Sequence, residues 1–177
     1  MPTFGTVKRT KPRVVVLRGY DPQEPTTNTA SHPVKPAVTI KSGQVISLEW
    51  VPARSRYEWV LGCSGNAIAH IALQDSSDYD VIEAGKLTGL SCLGQFVIQT
   101  PYYKETDASL FVHGAPVTYD GLTGNIKVTA LESGEPIMGF VSRIHGPQNL
   151  TGVDSTAPSP KVVVFDTHWL PNTTDAT

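Results

Sequence analysis

The sequence has little charge, almost no cysteine and no long apolar run. Charged residues make up 17% of the chain, below the usual quarter. This argues against a disordered polyelectrolyte and against a long charged helix. Cysteine occurs twice, as Cys63 and Cys92. Neither stands in a CxxC pair, which excludes a zinc knuckle or a thioredoxin-type motif. Two buried free thiols are expected, with a single disulfide as the alternative. No stretch approaches the about 18 consecutive apolar residues of a membrane-spanning helix. The N-terminal segment carries basic residues but no apolar core of signal-peptide length. The expectation is a soluble protein made in the cytoplasm, with no membrane partner.

Chemistry-bearing motifs are also missing. No GxGxxG or GxxxxGK[ST] loop is present to cradle a phosphate. The five histidines, His32, His70, His113, His145 and His168, form no HxH, HExxH or HxxxH pair, so no dedicated metal site is expected. Gly62-Cys63-Ser64-Gly65 fails the G-x-S-x-G spacing of a nucleophile elbow and reads as a hairpin turn. Asp75-Ser76-Ser77-Asp78-Tyr79-Asp80 is the densest carboxylate cluster. The sixth and twelfth positions of an EF-hand loop, which require Gly and Glu, are Asp80 and Lys86 here. An Asx-rich turn is the expectation, with one bound cation as the alternative. The sequence thus predicts no catalytic residue, no metal and no cofactor.

What is present is the pattern of an all-β protein. Hydrophobic residues make up 40% of the chain, and its 15 glycines and 14 prolines are scattered as single punctuation marks. Scattered breakers of this kind fit many short strands joined by tight turns. Alternation predicts strands over Gln44–Trp50, Tyr57–Leu61, Ile68–Leu73, Phe96–Thr100, Leu110–His113, Ile126–Ala130, Ile137–Ile144 and Lys161–Trp169. Tyr102–Leu110 has room for one helical turn. The expected core is Ile46, Leu48, Trp50, Ile71, Leu73, Val97, Phe111, Val128, Phe140 and Ile144. The predicted organisation is an extended arm over residues 1–36, a β domain over 37–145, a loop and returning strand over 146–171, and a loose tail over 172–177.

The arm has its own chemistry. Six prolines before residue 37 prevent any helix or central strand from running through it, although Val14-Val15-Val16-Leu17 can form one strand. Lys8, Arg9, Lys11, Arg13 and Arg18 fall in the first twenty residues, where no acid occurs, while the remainder holds nine basic and 16 acidic residues. A basic arm on an acidic body favours an acidic protein surface as its target. It lacks the aromatic series that stacks on single-stranded nucleic acid, so no nucleic-acid partner is expected. The predicted partner-binding residues are Lys8, Arg9, Lys11, Arg13, Val14, Val15, Val16, Leu17 and Arg18.

Between Ala37 and Ile144 the order of elements is distinctive. It opens with Ile40-Lys41-Ser42-Gly43-Gln44-Val45-Ile46-Ser47-Leu48, a strand, a glycine turn and a strand. Ile71-Ala72-Leu73-Gln74-Asp75-Ser76-Ser77-Asp78-Tyr79-Asp80-Val81 and Ala84-Gly85-Lys86-Leu87-Thr88-Gly89-Leu90-Ser91 follow. Gly114-Ala115-Pro116-Val117-Thr118 and Gly134-Glu135-Pro136-Ile137-Met138-Gly139-Phe140-Val141 close it. In this order the chain resembles the head decoration, or cement, proteins of tailed bacteriophages. The resemblance implies a small β-barrel or β-tulip/sandwich, a homotrimer, major capsid protein as partner and a place on the virion surface. Two readings from other classes stand beside it. One is a hydrolase with a Ser or Cys nucleophile. The other is a β-sandwich carbohydrate-binding module with exposed Trp50, Trp59 or Trp169 as its platform.

Overall fold

A computed structural model describes residues 15–18, 28–63, 67–131, 133–142, 148–149 and 161–170. The strands, in chain order, are β1 (Val15–Arg18), β2 (Thr29–His32), β3 (Val45–Val51), β4 (Arg56–Leu61), β5 (His70–Ala72) and β6 (Leu87–Ser91). They continue with β7 (Val97–Thr100), β8 (Pro116–Tyr119), β9 (Ile126–Val128), β10 (Ile137–Val141), β11 (Gln148–Asn149) and β12 (Lys161–Leu170). One short helix, α1 (Tyr79–Ala84), and 3₁₀ turns at Pro52–Arg54 and Glu105–Leu110 complete the described elements. The chain is all-β: two antiparallel sheets packed on each other. One sheet runs β2-β6-β5-β3-β4. The other runs β1-β7-β12-β10-β8-β9, with β11 added on β12.

The five-stranded sheet carries a core on each face, because alternate residues enter different clusters. Val45, Ile71 and Leu90 point to the other sheet and pack with Ile98, Phe111, Val117, Ile126, Met138, Val163 and Phe165. Their neighbours Ile46, Ala72 and Leu87 join Trp59, Ile40 and Val81 in a second core. Trp59 reaches from β4 across that core to β6, where its indole N–H donates to the Leu87 carbonyl at 2.7 Å. Gly89 makes room beneath the ring: a Cβ there would stand a tight 3.0 Å from the indole.

The two borders of this sheet meet. Trp59 N–H donates to Pro33 O at 2.8 Å, and Lys35 N–H donates to Trp59 O at 3.0 Å, which forms a parallel bridge between Val34 and Trp59. In parallel register the next bond would run from the amide of residue 33 to the Tyr57 carbonyl. Proline has no N–H, so the seam ends after one bridge. It opens toward His32, Tyr57 and Trp50.

The C-terminal strand returns to the domain as expected, and it enters the middle of the larger sheet. Val163–Asp166 pair with β7, and Phe165–Thr167 pair with β10. Gly139 faces it on β10, where a Cβ would collide with the Asp166 backbone. The far border, β9, is covered by the chain at residues 102–104: Lys104 N–H donates to Ile126 O at 2.7 Å and Ile126 N–H to Tyr102 O at 2.9 Å.

Several expectations need correction. The sheet begins before residue 37, since Thr29–His32 pairs with β6 along its whole length. Leu110–His113 is no strand. Leu110 and Val112 are exposed, and Phe111 is a single anchor in the inter-sheet core. Trp50 is not core but half-exposed, and Trp59 takes the buried place. Leu48, Leu73 and Val128 pack only partly buried against the cores, and Phe140 is half-buried. Ile144 lies outside the described residues.

Candidate functional site

Of the predicted partner-binding residues, Lys8, Arg9, Lys11, Arg13 and Val14 lie outside the described residues. Val15, Val16, Leu17 and Arg18 form β1, with Val15 opposite Gln99, Val16 opposite Ile98 and Arg18 opposite Val97. The strand expected to pair with a partner is thus paired on one side within its own chain. A register shift between Val16 and Arg18 kinks it there. β1 is the border of its sheet, and among the described residues β7 is its one strand partner.

A second surface gathers at the open seam. The 3₁₀ turn at Pro52–Arg54 ends in Ser55 with left-handed φ of 47° and folds β4 back on β3, which places Tyr57 directly opposite Trp50. The two rings lie 5.1 Å apart at 65°, and they are 50% and 48% exposed. His32 stands edge-on to Tyr57 at 6.5 Å and to Trp59 at 5.6 Å. Burial, and then the Lys86 ammonium, hold the His32 imidazole below its ordinary pKa. Sequence reading named Trp50 and Trp59 here, with Trp169, as a candidate platform, and also placed Trp50 in the core. The hairpin spacing that pairs it with Tyr57 was legible, but the arrival of His32 from the arm was not. Trp59 is buried and Trp169 packs against the inter-sheet core, so neither forms a platform.

On the opposite face of the same hairpin, Glu58 is fully buried beneath two arginines. Arg54 Nη1 donates to both its oxygens, at 2.7 and 2.6 Å, and Arg56 Nε donates at 2.9 Å. Burial pushes the Glu58 carboxyl up, but the arginine hydrogen bonds and charges outweigh it and leave the pKa below the ordinary value. Its cross-strand neighbour Glu49 is exposed and pairs with Lys35 at 2.8 Å.

Neither candidate thiol is activated: Cys92 is buried and Cys63 partly buried. Both cysteines are free. The Cys63 thiol donates to Ala67 O at 2.6 Å, and burial pushes its pKa up. Cys92 is fully buried and pushed up more strongly for the same reason. A thiol with a raised pKa is a poor nucleophile. Ser64 lies outside the described residues. Two carboxylates of the Asp75–Asp80 turn serve the chain itself: Asp75 accepts the Ser42 N–H at 2.8 Å, and Asp78 accepts the Asp75 N–H at 3.1 Å. Among the described residues no three His, Cys, Asp or Glu side chains converge as metal ligands. No described helix is long and apolar enough to cross a membrane. No protein-family model matches the chain, and no curated protein matches it in sequence.

Proposed function

We propose that this chain is a non-enzymatic structural protein of a tailed-phage virion, which binds the outer surface of the capsid and ties neighbouring major capsid protein subunits together as a homotrimer. The observation that carries the reading is the position of β1. The β9 border is covered by residues 102–104, and the β2 and β4 borders meet at the Val34–Trp59 bridge. Among the described residues β1 is a border with no strand on its outer side, and in sequence the basic segment leads directly into it. A shell strand added there would gain main-chain hydrogen bonds. Cations at residues 8–18 would tune docking on an acidic shell, since exposed ion pairs contribute only about 0–1 kcal/mol each. Three copies would multiply modest contacts into avidity. The test is binding of the full chain and of a variant lacking residues 1–14 to purified expanded shells free of decoration. Saturable binding that weakens at least about tenfold on deletion, the equivalent of about 1.4 kcal/mol, supports the reading. Equal binding, or none by the full chain, overturns it.

A second reading is favoured by one observation, the exposed Trp50–Tyr57 pair at the open seam. Aromatic faces of this kind can stack on sugar rings in a carbohydrate-binding module. A glycan array on which the full chain binds and the Trp50→Ala variant does not would select that reading.

A further inference from the structure

The open end of the β2–β4 seam gathers groups that the fold does not use. Trp59 directs its N–H and its C=O to the border at residues 33–35. Tyr57, two residues earlier, directs its own pair the same way, because the main-chain groups of one strand edge recur at every second residue. Pro33 brings no N–H to the Tyr57 carbonyl, and among the described residues neither Tyr57 group has a backbone partner. A strand cannot enter there. The Val34–Trp59 bridge holds the two borders at ladder spacing, and an inserted strand needs about twice that, roughly 9–10 Å. An occupant must lie on the rings at the mouth.

The rings set its shape. Trp50 and Tyr57 stand directly opposite each other on β3 and β4, so they share a face. They meet at 65° with centroids 5.1 Å apart, which makes an angled notch and no common plane. A flat polysaccharide surface needs coplanar rings. A notch holds one sugar ring, its C–H face on one aromatic and its rim against the other. Among the described residues the Trp50 indole N–H and the Tyr57 hydroxyl have no hydrogen-bond partner, and both side chains are half-exposed. With the Tyr57 main chain they present donors and acceptors to sugar hydroxyls.

The charge beside the notch has one sign. Glu49 and Glu58 lie on the opposite face of the hairpin, paired with Lys35 and with Arg54 and Arg56. His32 stands edge-on to Tyr57 at 6.5 Å. Its neighbour across the ladder is Leu87, so Lys86 adjoins it. Lys86 is exposed and has no ion-pair partner among the described residues. Of the described charges, its ammonium bears on His32 and no carboxylate does. His70 lies deeper, on the Trp59 ring.

We propose that the notch of Trp50 and Tyr57, with His32 and Lys86 at its side, binds a sugar acid at the end of a glycan chain, one ring against the aromatics and its carboxylate toward the two basic side chains. The inference rests on the carbohydrate reading above, narrows it, and is independent of the capsid reading. A carboxylate beside His32 favours the protonated imidazole, so the liganded chain takes up a proton there.

The test is an array of glycans that differ only in a terminal carboxylate, with uronic or sialic acid ends set against neutral counterparts, probed with the full chain. Saturable binding to the acid ends is expected. Trp50→Ala and Tyr57→Ala should each weaken it about tenfold, the upper end of what an aromatic contact contributes. Lys86→Gln should weaken it about threefold, as for an exposed ion pair, and bring it toward the neutral ends. All three side chains are exposed, so the variants should fold, and far-UV spectra check this. Equal binding of acid and neutral ends, still lost in Trp50→Ala, overturns the sugar-acid assignment and leaves the carbohydrate reading standing. No binding to any glycan overturns both. Acid-end binding that survives both aromatic variants overturns the placement in the notch. An NMR titration of the His32 ring nitrogens gives a second readout: its pKa should rise with a saturating sugar acid and stay put with the neutral sugar, and no rise with the acid overturns the placement of the carboxylate.

Discussion

The two ends of the β3–β4 hairpin follow the same alternation and meet opposite fates. At one end Ile46 and Trp59 are buried in the second core; at the other Trp50 and Tyr57, on the same face, stand half in solvent. The pattern of apolar residues does not distinguish them. The border across the way does: residues 33–35 close over Trp59, and Pro33 ends the closure before Tyr57. Burial in this sheet is decided by a missing N–H as much as by side-chain character.

The comparison is sharpened most by truncating each tryptophan. Trp59→Ala should destabilise the chain by about 3–5 kcal/mol, the usual cost of removing a large buried aromatic, and it also removes the indole hydrogen bond to the Leu87 carbonyl. Trp50→Ala should stay within about 0.5–1 kcal/mol. Denaturant titrations of the two variants give the difference, and equal losses would mean the seam is as closed at Tyr57 as at Trp59. A smaller effect comes from Gly89→Val, which crowds the Trp59 ring and Ile46 and should cost about 1–3 kcal/mol by overpacking. If this variant melts with the parent, the ring does not lie against β6.

Acid should also separate the two ends. His70 packs edge-on to Trp59 at 5.0 Å. Burial holds its imidazole below the ordinary value, against a hydrogen bond to the Ile68 carbonyl that raises it, with His32 adding a smaller downward push. The unfolded chain therefore takes this proton more readily. Stability is full above the unfolded pKa of about 6.5 and declines as pH falls from there toward the folded value. Glu58 acts lower on the scale. Its depressed pKa gives stability that is present above the unfolded value of about 4.3 and lost as pH falls through the folded one. A melting series in pH should therefore show two descending steps, with His70→Gln reducing the upper, which His32 shares, and Glu58→Gln reducing the lower, which Asp120 and Glu135 share. The smallest effect is expected from Pro33→Ala. The new amide can reach the Tyr57 carbonyl for about 0.5–1.5 kcal/mol, offset by about 0.4–1 kcal/mol of added freedom in the unfolded chain. The readout is hydrogen exchange in the variant: a slowly exchanging amide at position 33 extends the seam, and a fast one means that something other than the proline ends it.

Much of this architecture was legible. Alternation marked β3, β4, β7, β10 and β12 to within a residue or two at their starts, because each carries bulky residues of one class at period two. It missed β2, whose Thr29-Ala30-Ser31-His32 has no apolar stripe and is held by main-chain pairing with β6. It missed β6 and β8 because Gly89 and Pro116 look like breakers. In the fold Gly89 makes room for an indole, and Pro116 begins its strand. The helix at Tyr79–Ala84 is too short to show a period and was read as part of an Asx turn. For the candidate site, the basic segment and β1 were readable from charge and from a valine run. That β1 pairs with its own β7 was not, since pairing partners distant in sequence leave no local mark.

The place of β12 bears on how the chain can be made. All five strands of the smaller sheet lie between residues 29 and 91, so its pairing can be complete while the rest is still being translated. The larger sheet is different. Until residues 161–170 emerge, it consists of a β1–β7 pair and a β10–β8–β9 meander with nothing between them. Each fragment then exposes unpaired main chain and the faces of Ile98 and Met138, surfaces that invite pairing with other nascent chains. Contacts so distant in sequence also form slowly. Ribosomes that stop short of residue 161 should therefore release sticky fragments rather than a trimmed but working protein.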